Sequence, residues 1–263
     1  MKPSERIHEA AARLRTGDTT LSCKETHIEL APGTVREAMA VHDTTGKAEL
    51  TVEAGRGACL RLTELFTGEG THRTLRIRQQ AESRVEVLLV QLGPSVVDCT
   101  VDLEGAHAEC RIDGLFLTGK GERTETAVRT NHRAADCRSE SVVKGVAGAG
   151  GTGTFRGLVY VAAGAQRTDA RQTSRNIEAG EGARIVAEPQ LEIYADNVQC
   201  SHGATVGQLD SEAVFYMRQR GLDERQARRL QIEGFAADVV NRCASEPLHD
   251  ELTALISDKL ETL

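Results

Sequence analysis

The feature that most restricts what this chain can fold into is a change of apolar period. From Leu21 to Val198 hydrophobic residues return at every second position. Leu75 and Ile77 show it, as do Val85, Val87 and Leu89, then Val97, Cys99, Val101 and Leu103. Ala108, Cys110 and Ile112 continue the row, and Leu191 with Ile193 repeat it late. Successive side chains of an extended strand point to opposite faces, so each row sends one set inward and its neighbours into water. Gly55, Gly57, Gly68, Gly70, Gly93, Gly105, Gly119 and Gly121 cut the pattern into short runs and read as turns. The long middle is therefore all β. An antiparallel sandwich and a parallel coil of stacked turns both accept such strands, and periodicity does not separate them. The small and β-branched inward residues suit the narrow interior of a coil.

Both ends switch to a helical period. Ile7, Ala10, Ala11 and Leu14 mark one short amphipathic helix over Ser4 to Leu14. After Gly207, Asp210 or Ser211 caps a helix carrying Val214, Phe215 and Met217, and Gly221 closes it. Asp223 with Gln226 forms a capping box that opens a second helix. Its stripe is Ile232, Phe235, Ala236, Val239, Val240 and Cys243. Ser245 and Pro247 start a third, with Leu248, Leu252, Leu255 and Ile256 on one face. The organisation expected is a lead-in over 1–20, a β core over 21–206 and a helical domain over 207–263. The tail has more apolar stripe than three short helices bury among themselves, so part of it packs on the β body or on another protein.

Composition removes several classes of function. Among 263 residues, Lys+Arg 32 against Asp+Glu 39 leaves a net charge of -7, which disfavours a nucleic-acid partner. With 3% aromatics and no Trp, a stacking platform for bases or sugars is hard to build. No apolar run approaches the roughly 20 residues that cross a bilayer. The charged start does not resemble a signal peptide, so no membrane association is expected and the localisation expected is cytoplasmic. Seven cysteines, odd in number and scattered without C-x-x-C spacing, argue against a disulfide framework and against a zinc site made of close pairs.

Gly148-Ala149-Gly150-Gly151-Thr152-Gly153 fits G-x-G-x-x-G, but Phe155-Arg156-Gly157-Leu158-Val159-Tyr160-Val161 continues it as a strand. A dinucleotide site needs a helix there, so the segment reads as a loop. No phosphate-binding loop, nucleophile elbow or H-E-x-x-H is present, and the isolated chain is expected to hydrolyse neither ATP nor polysaccharide. His132 and Cys137 read as a turn histidine and a packed cysteine. His8, His27, His42, His72, His107 and His249 stand alone and read as surface residues. Cys200 and His202 differ: in an extended segment they share a face, and thiolate with imidazole suits iron, zinc or copper(I). One C-x-H pair is half a site, against which stands the plain alternative of a packed cysteine and a strand-end histidine.

Longer strings carry a resemblance. Ala165-Gln166-Arg167-Thr168-Asp169-Ala170-Arg171-Gln172 and Pro189-Gln190-Leu191-Glu192-Ile193-Tyr194-Ala195-Asp196 resemble the closing β turns of the SufB/SufD family of the SUF iron–sulfur cluster assembly system. Cys200-Ser201-His202-Gly203-Ala204-Thr205-Val206-Gly207-Gln208-Leu209-Asp210, then Phe215-Tyr216-Met217-Arg218-Gln219-Arg220-Gly221, resembles its signature. The dense match runs from Asp136 to Gly221. Gly203 in H-G-A-T is similar to D-type members, where B-type paralogues tend to carry H-E-A-T. The resemblance implies a right-handed parallel β-helix core with a small C-terminal helical domain. It implies a scaffold subunit, not an enzyme, that pairs with a SufB-like subunit and docks an ABC-type ATPase, SufC. Phe215, Tyr216, Phe235 and Val239 are the docking residues expected. A transient cluster would form at the subunit interface beside His202 and Cys200, with no cofactor held stably by the chain alone. The short N-terminal region departs from the family and leaves room for a homodimer or homomeric scaffold. The competing readings are a carbohydrate-active β-helix enzyme and a β-helical adaptor without metal chemistry.

Overall fold

The structure is a computed structural model that describes residues 20–21, 25–243 and 246–263. The helix expected over Ser4 to Leu14 lies outside the described residues, as do His8, Cys23 and Ser245. The odd strands are β1 (Thr20–Leu21), β3 (Val35–His42), β5 (Cys59–Phe66), β7 (Arg84–Gln91), β9 (Glu109–Thr118), β11 (Arg138–Ala147), β13 (Asp169–Glu178) and β15 (Gln199–Gly207). They form one sheet in that order. The even strands form the other: β2 (His27–Leu30), β4 (Gly46–Ala54), β6 (Thr71–Gln79), β8 (Ser95–Leu103), β10 (Arg123–His132), β12 (Thr152–Val161) and β14 (Arg184–Ile193). Each strand pairs in parallel with the second one after it, as β3 does with β5 and β10 with β12. Consecutive strands therefore alternate between sheets, and the chain winds as a parallel β-helix. Pairing direction, which period two leaves open, rejects the sandwich.

The inward rows expected from the alternation are where the sequence puts them in the earlier coils, whereas in β14 Leu191 is only half-buried and Ile193 is exposed, because no further coil covers them among the described residues. Leu75, Ile77, Val85, Val87, Val97 and Val101 all lie in one buried cluster between the sheets. The corners repeat as well. At the six bends from β2 to β3 through β12 to β13, the left-handed position is taken in turn by Gly33, Gly57, Glu82, His107, Asp136 and Arg167. The reason is a ladder. Glu82 N–H donates to Ala106 O at 3.0 Å, Asp136 N–H to Gln166 O at 2.9 Å and Arg167 N–H to Asn197 O at 2.6 Å, each reaching the following coil. The left-handed conformation aims that amide along the stack, and four non-glycine residues accept a backbone that costs them energy. The G-x-G-x-x-G segment is one of the opposite corners: Thr152 begins β12, which pairs with β10 and β14.

The helices are α1 (Ser211–Gln219), α2 (Glu224–Val240) and α3 (Glu246–Leu260). Asp210 caps α1, Gly221 at φ 96° follows its end, and Asp223 with Gln226 forms the capping box of α2. Ile232, Ala236, Val239, Val240, Leu252, Leu255 and Ile256 pack on the outer face of the odd-strand sheet. There they meet Met39, Val41, Leu65, Val90, Leu115 and Val146. Strands buried on both faces need continuous apolar runs, which Leu88-Leu89-Val90 supplies in β7. Each fully buried Val, Leu or Ile contributes about 1.5–3 kcal/mol, so this seam holds the tail to the coil. Polar ties reinforce it. Lys144 Nζ donates to Phe235 O at 2.9 Å and to Asp238 Oδ2 at 2.5 Å, and Lys259 Nζ reaches Glu122 at 2.6 Å. Arg242 donates to Asp113 Oδ1 at 3.0 Å. Burial pushes the Asp113 carboxyl up to about 6, against the charges of Arg242 and Arg111.

Two histidines depart from expectation. His42 is buried, not on the surface: its Nε2–H donates to Glu64 Oε2 at 2.5 Å, and its ring stacks on Phe66. Arg73 donates to the other oxygen of Glu64 at 2.7 Å, which completes a hydrogen-bonded triad inside the early coils. Its members lie 22 and 9 positions from Glu64, a separation that no local pattern encodes. His132 is likewise not a turn residue. It ends β10 fully buried, bonded to Ser139 Oγ at 2.8 Å, and burial lowers its ring to about 4.

Candidate functional site

β14 and β15 are the terminal strands of their sheets, so this end of the coil presents two strand edges that are unpaired among the described residues. Parallel register carries each inward column upward from coil to coil. Cys200 stands on Ala170 and His202 on Gln172. Ala170 and Gln172 are buried, whereas the row above them is uncovered: His202 and Val206 are exposed and Cys200 is half-buried. The inward face of the fold thus becomes outward-facing at its last coil. Ile193 and Tyr194 are exposed beside it, and the Tyr194 ring lies 5.6 Å from that of Tyr160.

Extended backbone puts the Cα atoms of Cys200 and His202 about 6.6 Å apart on one face, within reach of a shared metal. Burial, reinforced by the charge of Asp169, raises the Cys200 thiol above its ordinary range, while a hydrogen bond with the Ala170 backbone pulls it back. The thiol therefore favours its protonated form until a cation or a partner's positive charge displaces the proton. Among the described residues no three His, Cys, Asp or Glu side chains converge as a metal cluster, so the pair offers half a coordination sphere. It fits a site that further ligands complete.

The tail separates the residues expected to dock a partner. Phe215 is 62% exposed and Tyr216 58% exposed on α1, which buries none of its own residues. Phe235 is half-buried, its ring lying under Lys144 Nζ at 4.4 Å. Val239 is 0% exposed within the seam, so its assignment to an open docking surface is corrected: the apolar stripe of α2 faces the coil. Gln172 was not singled out from the sequence. The signal available for it is a polar residue at an inward position of an alternating run.

The profile of the SUF system FeS cluster assembly SufBD core domain matches residues 14–235. That span covers most of the chain and includes both terminal strands. The chain belongs to the SufBD family. An Escherichia coli (strain K12) relative, iron–sulfur cluster assembly protein SufD, is 32% identical over 248 residues, covering 89% of this chain and 58% of its own. A Bacillus subtilis (strain 168) protein of the same name is 30% identical over 176 residues, 66% of this chain and 40% of the relative. A Synechocystis sp. SufBD family protein is 33% identical over 198 residues, 73% of this chain and 43% of the relative. The chain thus spans little more than half of the E. coli relative and less of the others. The H-G-A-T at His202 to Thr205 lies within the matched span. Among the described residues no helix is long and apolar enough to cross a membrane.

Proposed function

We propose that the chain is a SufD-type scaffold subunit without catalytic activity of its own, on which iron and sulfide are assembled at an interface with a SufB-like subunit. The observation that carries this reading is the uncovered inward row at Cys200 and His202, flanked by two open strand edges. An open edge accepts another strand, and an exposed thiol–imidazole pair accepts a metal that a second chain also holds. A neutral imidazole can ligate iron or accept a proton. The cluster is cargo in this scheme, and the raised thiol of Cys200 makes His202 the principal ligand. Phe215 and Tyr216, unburied on α1, serve to dock an ABC-type ATPase subunit, while α2 and α3 fasten that surface to the coil.

The test is co-purification from cells that express the chain with SufB-like and ATPase subunits. Val206→Arg, placed on the uncovered row, is expected to release the SufB-like subunit and retain the ATPase. Phe215→Ser with Tyr216→Ser is expected to do the reverse. Recovery of both partners with every variant would overturn both surface assignments.

A further inference from the structure

One inward column changes character along the coil. Ala38, Leu62, Val87 and Ile112 follow one another in register as buried apolar residues. The next three positions are Ser141, Gln172 and His202. Ser141 and Gln172 are 5% and 1% exposed, yet Ser141 Oγ and both carboxamide atoms of Gln172 have no hydrogen-bond partner among the described residues. A buried amide without a partner forfeits its hydration and gains nothing in return. The fold nevertheless makes room for this one. Across the lumen, the column holding Cys99 and Val128 contracts to Gly157, and a Cβ there would lie 2.4 Å from Gln172 Cδ and Oε1 and 2.5 Å from Nε2. The missing side chain at Gly157 is the space the carboxamide occupies. One parallel-sheet spacing of about 4.8 Å separates the backbone of Gln172 from that of His202, its register partner above.

We infer that Gln172 is a third member of the Cys200–His202 site, its Nε2–H donating to sulfide of the iron–sulfur cargo held there. This rests on the assembly-site reading above and deepens it. An anionic, metal-bound sulfide is a hydrogen-bond acceptor, and a carboxamide delivers N–H without charge and without titrating. Such bonds to sulfur stabilise the reduced, more negative cluster and so raise its potential. An amide already satisfied within the protein would have none of its donors left for a guest, whereas the carboxamide that follows the Leu, Val and Ile of β5, β7 and β9 keeps its own.

The experiment uses the reconstituted complex with Gln172→Met, an unbranched apolar side chain of similar length, and His202→Ala in parallel. A donor to the cargo predicts three results for Gln172→Met: unchanged or raised thermal stability, cluster yield lowered about tenfold, and a more negative potential for the residual cluster. Gly157→Ala, which crowds the carboxamide and alters no polar group, should reproduce the lower yield and the potential shift. A purely structural amide predicts lower stability with unchanged yield and potential, and that result overturns the inference. If His202→Ala loses the cluster while Gln172→Met assembles it at wild-type yield and potential, Gln172 alone is misassigned. If His202→Ala assembles normally, the site reading fails, and the inference fails with it.

Discussion

Glu64→Gln keeps the volume of the side chain inside the coil but removes the one negative charge facing Arg73 and His42. All three side chains are buried, with Glu64 and Arg73 at 0% and 2% exposure and contacts of 2.5 and 2.7 Å. Breaking such a pair strands a buried guanidinium, at a cost of about 3–5 kcal/mol. For a domain of this size that corresponds to a melting temperature lower by roughly 10 °C. A solenoid is stabilised coil by coil, so the loss should be local. Hydrogen exchange should accelerate at β3 to β6 while β11 to β15 keep their protection. The pH dependence has a definite sign. Burial pushes the Glu64 carboxyl up, but hydrogen bonds and charge from His42 and Arg73 outweigh it and hold the carboxyl below its ordinary range. Its stabilisation is therefore present above the unfolded value and lost as pH falls through the folded one. Thermal denaturation followed by circular dichroism, combined with exchange mass spectrometry, measures both effects. A destabilisation below about 1 kcal/mol, or equal acceleration at both ends of the coil, would refute the reasoning.

Asp113 carries the opposite sign: its folded carboxyl is raised to about 6, so it favours folding increasingly as pH drops from above 6 towards 4. Asp113→Asn should flatten that dependence, changing the wild-type minus variant stability by about 2 kcal/mol between pH 4 and 7.5 in urea titrations. Val239→Ala, within the seam, should destabilise the tail by about 2 kcal/mol. Phe215→Ser, on the exposed face of α1, should stay within about 0.5 kcal/mol of wild type; equal losses would contradict the assignment of buried and open faces.

Alternation was enough to identify the inward residues of the coil, because period two is a property of the single strand. It left sandwich and coil unresolved, since both have that period and differ only in what a strand pairs with. Glycine marked many corners but missed those where Glu82, His107, Asp136 and Arg167 take the left-handed position, because the amide ladder that demands it joins different coils. Caps at Asp210, Asp223 and Gly221 were legible since each acts within four residues. Val239 was legible as apolar, but the partner of its face was not. His42 and Gln172 were opaque for a common reason: their roles depend on residues in neighbouring coils. Cys200 and His202 were visible as a pair through strand geometry, whereas their uncovered position follows from the coil ending at β15.

The central claim is that His202, on the uncovered last coil, is where cluster assembly depends on this chain. The measurement is the iron and acid-labile sulfide content of the complete complex after reconstitution, with wild-type chain, His202→Ala and Cys200→Ala compared at equal subunit recovery. The account predicts that His202→Ala assembles fully but holds little cluster, and that Cys200→Ala, whose thiol is partly packing, is the milder variant. A correctly assembled His202→Ala complex with wild-type iron and sulfide would contradict it.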